Sequence, residues 1–304
     1  MRVLVTGGTG FIGRWVVKSL EERGADIVVC TRAAPERARY STVLADLLKP
    51  DAAERAILEA KPDIVLHNAW CVDHGKFWSA PANLDWAAAT LRLARAAKDR
   101  GVRRFVGVGT CFEYSWPADA DCVEQSTPIR PTSLYGVTKD ATRRIVEEFA
   151  AGTGLEFAWA RLFYLFGPYE HPDRLASSVA IKLARDQAAP LSSGLAVRDF
   201  IDVRDAGAAI SALALSGVTG AVNIGSGYGV TIADLAGMLK SAAGGSGHLQ
   251  LGALPDRAGE PPRIVADVGR LRREVGYQPA ISMEERLGET YRWWQQHLAK
   301  AKGA

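Results

Sequence analysis

The chain has 304 residues, 48% hydrophobic and 23% charged, with 37 basic against 34 acidic side chains and a formal charge of +3. That is globular composition with ample material for a large core, and so small and mixed a charge gives no case for nucleic acid or a membrane surface, although a small anion would not be repelled. No apolar run approaches the ~20 residues that span a bilayer and no signal-peptide core opens the chain, so the expectation is a cytoplasmic protein.

The chain opens on a short strand, "RVLV" (2–5), followed by a glycine-rich turn and a helical pattern. "DIVVC" (26–30), "TVLADL" (42–47, the weakest), "DIVLH" (63–67), "RFVGVG" (104–109) and "LEFAWARL" (155–162) continue as buried strands. Between them lie helix-period segments such as 84–100, which stops at Gly101, and the amphipathic run after Tyr135. Strand–helix alternation of this kind predicts α/β architecture with a doubly wound parallel sheet. After about residue 165 the rhythm breaks at "LFGPYEHPDR", and "TIAD" (231–234) and "SMEE" (282–285) read as capping boxes that start later helices. The last helix, with "YRWWQQH", is expected to bury Trp293 or Trp294. The predicted layout is a nucleotide domain over 1–165, with 197–223 returning to it, and a smaller α+β substrate domain over most of 166–304.

The four cysteines, Cys30, Cys71, Cys111 and Cys122, have neither CxxC nor metal-ligand spacing, and His74 has no partner at ligand spacing, so no metal is expected. "VLVTGGTGFIGRWVVKSL" (3–20) does carry chemistry. Gly7, Gly10 and Gly13 follow the first strand and open the first helix, where backbone amides and the helix's positive end suit a pyrophosphate. An acidic reader of a ribose 2′-hydroxyl is expected at the end of the second strand. The stretch there offers Thr31 and Arg32 and no carboxylate before Glu36. A guanidinium suits a 2′-phosphate, which favours NADP over NAD.

Thr110 ends the strand "RFVGVG", and Tyr135 precedes Lys139 by one helical turn. A phenol's ordinary pKa is about 10, too high for proton traffic at neutral pH, and an ammonium one turn away would favour its phenolate. Thr110, then Tyr-x-x-x-Lys, on a TGxxGxxG dinucleotide loop resembles the extended short-chain dehydrogenase/reductase family, in its nucleotide-sugar epimerase/dehydratase/reductase branch. "PDIVLHNAW" (62–70), "RLFYLFGP" (161–168), "VRDFIDVRD" (197–205), "VNIGSG" (222–227) and "LPDRAGE" (254–260) match that family's landmarks in order.

The resemblance implies a Rossmann sheet and a catalytic set of Thr110, Tyr135 and Lys139. It implies a dinucleotide site of Gly7, Gly10, Phe11, Ile12, Gly13, Thr31, Arg32, Asp46, Leu47, Asn68, Ala69 and Leu162, together with Tyr135 and Lys139. Lys139 would hydrogen-bond the nicotinamide ribose, and Asn83 would be structural. The implied partner is a nucleotide-diphosphate sugar, held by Trp70, Thr110, Tyr164, Arg198 and Arg257. Trp70 is expected to line the sugar side and narrow it, and the two arginines to pair with phosphate. Tyr164 replaces an asparagine common in the family. The helices matching 84–100 and 136–151 would pair across a two-fold axis into a four-helix bundle, making a homodimer.

The family's 4,6-dehydratases carry an acidic pair, or at least a glutamate, just after the threonine. Here those positions are Cys111 and Phe112, and Glu113 should point away along an extended segment, so dehydration is not expected. A cysteine that serves the family's 3,5-epimerases would sit at 112, and Cys111 misses it by one. Two enzymes remain: an NADPH-dependent 4-ketoreductase, which Arg32 favours, and a 4-epimerase with tightly held NAD. A non-catalytic dinucleotide-sensing regulator is the alternative of another class, and retention of the Tyr–Lys pair argues against it.

Overall fold

The computed structural model describes residues 1–33 and 39–302. In chain order the elements are β1 (Arg2–Thr6), α1 (Gly13–Glu22), β2 (Asp26–Thr31), β3 (Ser41–Leu44), α2 (Ala52–Ala60), β4 (Ile64–His67), α3 (Ala82–Asp99), β5 (Arg104–Thr110), a 3₁₀ turn (Cys111–Glu113), α4 (Leu134–Thr153) and β6 (Glu156–Leu162). There follow β7 (Tyr164–Phe166), α5 (Leu175–Ala184), β8 (Ala189–Pro190), β9 (Val197–Asp202), α6 (Val203–Leu215) and β10 (Gly220–Ile224). The chain then runs through β11 (Gly229–Thr231), α7 (Ile232–Ala243), β12 (Leu249–Gln250), β13 (Arg263–Ile264), α8 (Gly269–Arg273) and α9 (Met283–Lys302).

Seven strands form one parallel sheet in the order β10-β6-β5-β4-β1-β2-β3. Strand order reverses between β1 and β4, which is where an open α/β sheet offers a crevice at its C-terminal edge. The alternation of side chains along each strand builds a core on either face. Val3 and Val5 of β1 and Ile27 and Val29 of β2 pack with Val16, Val17 and Leu20 of α1 and Ala206, Ile210 and Leu213 of α6. Leu4, Val28 and Cys30 pack on the opposite face with Ala56 and Ile57 of α2, Ala89 and Leu93 of α3 and Val146 of α4. Strands buried on both faces read as unbroken β-branched runs, which is why the sequence displays them so openly.

A second, smaller sheet joins β11, β9 and β13, with β7 on β9. Helices α5, α7 and α9 pack beside it around Phe166, Phe200, Leu235, Leu239, Leu287 and Trp294. Both predicted capping boxes start helices as read: Thr231 accepts from the Asp234 amide at 3.0 Å, and Ser282 from the Glu285 amide at 3.2 Å. Of the two tryptophans, Trp294 is the buried one, its indole N–H donating to Ser177 Oγ at 3.2 Å.

The return of the chain to the large sheet begins later than 197. β9 belongs to the small sheet, and only α6, packed on α1, and β10, beside β6, come back. A buried Arg198 and Asp199 inside β9 disguise it as a polar loop, because their charges are met by partners distant in sequence: Glu260 for the arginine, and Ser226 and the Gly227 and Ala266 amides for the aspartate.

Candidate functional site

The glycine loop leaves β1 at the crevice. Gly7 has φ +68°, a left-handed conformation that a side chain strains, and a Cβ there would sit 2.9 Å from the backbone of Ala69. At Gly13 a Cβ would fall 2.0 Å from the Gly7 carbonyl oxygen, so only glycine lets α1 start this close beneath the loop. The first turn of α1 holds no acidic residue and its N-cap, Ile12, has no capping side chain, so the amide-rich end is open to an anion. Asn68 and Ala69, just past β4, bond to Thr6 and Gly7, closing the loop from the side.

Thr31 ends β2 and Arg32 follows it, exposed, while Glu36 lies outside the described residues. Asp46 and Leu47 fall in the turn after β3 rather than on the strand, with Asp46 Oδ1 accepting from the Leu48 amide at 3.2 Å. These residues line one edge of the sheet with the glycine loop, and the donor set fits a dinucleotide: amides for a pyrophosphate, and a polar rim at the ends of β2 and β3.

Thr110, Tyr135 and Lys139 come together at the end of β5, all buried. Ser133 caps α4 by accepting from the Gly136 amide at 3.1 Å, which places Tyr135 in its first turn. Burial pushes the Tyr135 phenol above its ordinary range, with the neighbouring Thr110 opposing. Lys139 Nζ donates to the Val108 carbonyl at 2.7 Å and lies 3.7 Å from the Trp70 ring centroid. Burial brings this lysine down to about 7, with Glu113 opposing.

The expectation that the ammonium, together with the positive ring of an oxidised cofactor, draws the phenol toward its anion does not hold for the protein alone, where burial outweighs it. The groups acting most on Tyr135 are its burial, Thr110, Glu113, Cys111 and Arg174, while Lys139 aims at a strand carbonyl.

The segment after Thr110 is a 3₁₀ turn, not extended, yet Glu113 still faces away. Its carboxylate accepts from the Thr110 amide at 3.0 Å, the Trp159 indole at 2.9 Å and Arg161 Nε at 2.7 Å. The Thr110 side chain in turn accepts from the Phe112 amide, so Thr110 and Glu113 form a capping box that fixes the threonine. Sequence reasoning misses this role of Glu113, although T-x-x-E is there to signal it. Cys111 is buried, its thiol pushed up by desolvation. Aromatic rings lie around Thr110 and Tyr135: Phe77 stands edge-on to Tyr135 at 4.9 Å, and Phe112 meets Trp78, Trp116 and Tyr164.

On the side expected for substrate, Tyr164 and Arg198 meet, the guanidinium 5.7 Å from the phenol ring. Arg198 is only 1% exposed and donates to Glu260 Oε1 at 2.7 Å, so a carboxylate of the "DRAGE" stretch now satisfies it. Arg257 stands apart and exposed, close enough to act electrostatically on His74, which stacks on His171 at 4.9 Å. Leu162 ends β6 among the buried residues. Trp70 is partly buried: Asn83 Oδ1 accepts its indole N–H at 2.8 Å, and the ring lies over Lys139.

Known proteins of similar sequence and fold match most or nearly all of the chain. A dTDP-glucose 4,6-dehydratase from Streptomyces griseus is 30% identical, covering 97% of this chain and 94% of its own. A dTDP-6-deoxy-L-talose 4-dehydrogenase (NAD(+)) from Aggregatibacter actinomycetemcomitans is 27% identical over 75% of this chain and 85% of its own. The crystal structure of the Thermus thermophilus UDP-glucose 4-epimerase in complex with NAD superposes with a TM-score of 0.84 at 26% identity, covering 97% of this chain and 99% of that one. With residues 3–225 matching its model, the chain belongs to the NAD dependent epimerase/dehydratase family, the nucleotide-sugar branch of the extended short-chain dehydrogenases/reductases.

Proposed function

We propose that the protein is an NADPH-dependent reductase of a 4-keto nucleotide-diphosphate sugar, with Tyr135 as the proton donor. The observation that carries this direction is the exposed Arg32 just past the end of β2, a cation suited to the 2′-phosphate of NADPH, the donor that a net reduction consumes. Tyr135, buried at the end of β5 with Thr110, is the phenol that would give a ketone oxygen its proton as the carbon is reduced. The nicotinamide, when bound, supplies the hydride. Thr110 holds the same oxygen that Tyr135 protonates, fixed by its capping box with Glu113. Lys139 would hold the ribose hydroxyls, and the glycine loop the pyrophosphate.

Dehydration fits poorly. Cys111 and Phe112 cannot supply an acid–base pair, and the nearest carboxylate, Glu113, is locked to Arg161. Arg32 beside Thr31 supports NADPH over NADH, through guanidinium pairing with a 2′-phosphate. Arg198, Arg257 and Tyr164 are the proposed grip on the substrate diphosphate, with phosphate oxygens taking the place of Glu260 on Arg198. The second reading, a 4-epimerase with tightly bound NAD, is favoured by the likeness to the Thermus epimerase.

We also propose a homodimer through α3 and α4. Leu84, Val137 and Ile145 are exposed on these helices, and Val137, Ala141, Ile145 and Phe149 recur every four residues along α4, on one side of it. The test of the reaction is to incubate the purified protein with NADPH or NADH and a panel of nucleotide-linked hexoses and 4-keto-6-deoxyhexoses. The proposal expects NADPH loss stoichiometric with reduced sugar. Sugar interconversion without cofactor loss would select the epimerase.

A further inference from the structure

Trp70 leaves β4 three residues after His67, and the site around Lys139 is built on its indole. Asn83, itself 1% exposed, accepts the indole N–H at 2.8 Å and donates to the carbonyls of Phe77 at 2.7 Å and Ala80 at 2.9 Å. Behind it, Trp86 stacks on Trp70 at 6.4 Å. The far end of the same loop is tied to α4, because the Tyr135 amide donates to the Trp78 carbonyl at 3.1 Å. The loop thus lays one ring on each member of the Tyr–Lys pair: Phe77 edge-on to Tyr135, and Trp70 face-on to Lys139.

The charged and titratable groups near the ammonium leave it little else. Glu113, from the turn after β5, is held by Arg161 at 2.7 Å, and Asp140, next on α4, pairs with Arg143 at 2.9 Å. His67, at the end of β4, is kept neutral, its pKa brought down to about 3 by burial and by Lys139 itself. Tyr135 is kept neutral by burial. The Val108 carbonyl at 2.7 Å and the indole face at 3.7 Å remain, with the Trp159 ring farther off at 5.8 Å.

We propose that Trp70 is a positioning residue for Lys139: its indole face holds the ammonium charged and aimed along the edge of β5, beside the phenol that transfers the proton. The inference rests on the reading of Lys139 as part of the catalytic set. A cation over an indole face is attracted by the ring quadrupole, most strongly where water is excluded. Leucine at this position keeps water out without a quadrupole, and phenylalanine keeps a weaker one. Burial has already brought Lys139 to about 7, so even a modest loss of attraction is felt near neutrality.

Two measurements on Trp70→Leu and Trp70→Phe test this. In the protein without cofactor, an ammonium in contact with an indole quenches its emission. The difference in fluorescence between wild type and Trp70→Phe should therefore titrate near pH 7, and the titration should vanish in Lys139→Met. In the proposed reaction, activity needs Lys139 charged and falls as pH rises through its pKa. In Trp70→Leu that falling limb should move to lower pH by about half to one unit, while Trp70→Phe stays close to wild type and recovers most of the rate. A limb in Trp70→Leu that stays put or moves up, or a difference fluorescence flat across pH 7, overturns the inference. No turnover in wild type, with the fluorescence titration intact, would strike the proposed reaction and leave this assignment standing.

Discussion

Glu113 shows how much one side chain's direction decides. One position away from Phe112, it would be a candidate acid at the sugar; folded inward, it is a structural anion under Thr110, held by Arg161 and Trp159. Another buried carboxylate, Glu170, makes its direction measurable. It lies in the loop after β7, accepts from Ser177 Oγ at 2.7 Å, and burial raises its pKa from 4.5 to about 7. A folded-state pKa above the unfolded value means the native protein keeps a proton that the unfolded chain releases. The stability this contributes is full below about pH 4.5 and is lost as pH rises through 7. Glu170→Gln, neutral at every pH, should lose less stability between pH 5 and 8 than wild type does, by about 2–3 kcal/mol in denaturant titrations. Parallel stability profiles for the two proteins would contradict this account of Glu170. At this scale the sequence named Thr110, Tyr135 and Lys139, which the structure brings together, but not how they are held. The Trp70–Asn83 bond and the Arg198–Glu260 pair join residues 13 and 62 positions apart, and no local pattern announces either.

At the level of elements, legibility follows burial. The strands of the large sheet are apolar on both faces and stand out, and the helix starts at Thr231 and Ser282 are readable because a cap is a local bond between neighbours. β9 is not readable as part of the small sheet, since "VRDFID" mixes buried charges with apolar residues without a period of two, and the partners of those charges lie elsewhere in the chain. The weak third strand stops at Leu44, before Asp46 and Leu47, because the chain turns there on the Asp46 carboxylate. The 3₁₀ turn after β5 reads as extended chain from its residue types, although the capping box that makes it is a four-residue signature.

For the molecule as a whole, the strand order, with its crossing at β1–β4, puts the glycine loop after β1 and Thr110 at the end of β5 on the same edge of one parallel sheet, an arrangement that alternation along the sequence could imply but not map. The outward stripe of α4 sets a test of assembly. Ile145 is 53% exposed, and Ile145→Asp should convert a dimer into monomers in sedimentation or light scattering without unfolding the chain. A wild-type protein that is monomeric at micromolar concentration would remove the four-helix bundle from the account.

In the proposed net reduction, hydride reaches a sugar carbonyl and Tyr135 gives the proton. The most direct measurement follows deuterium from the transferable C4 position of NADPH into product, by mass spectrometry, with wild type and Tyr135→Phe side by side. One deuterium should be fixed at sugar C4 for each NADPH consumed, and the rate should be lower by at least about a hundredfold in the variant. Unlabelled product formed with the cofactor pool unchanged, or a Tyr135→Phe protein as fast as wild type, would contradict it.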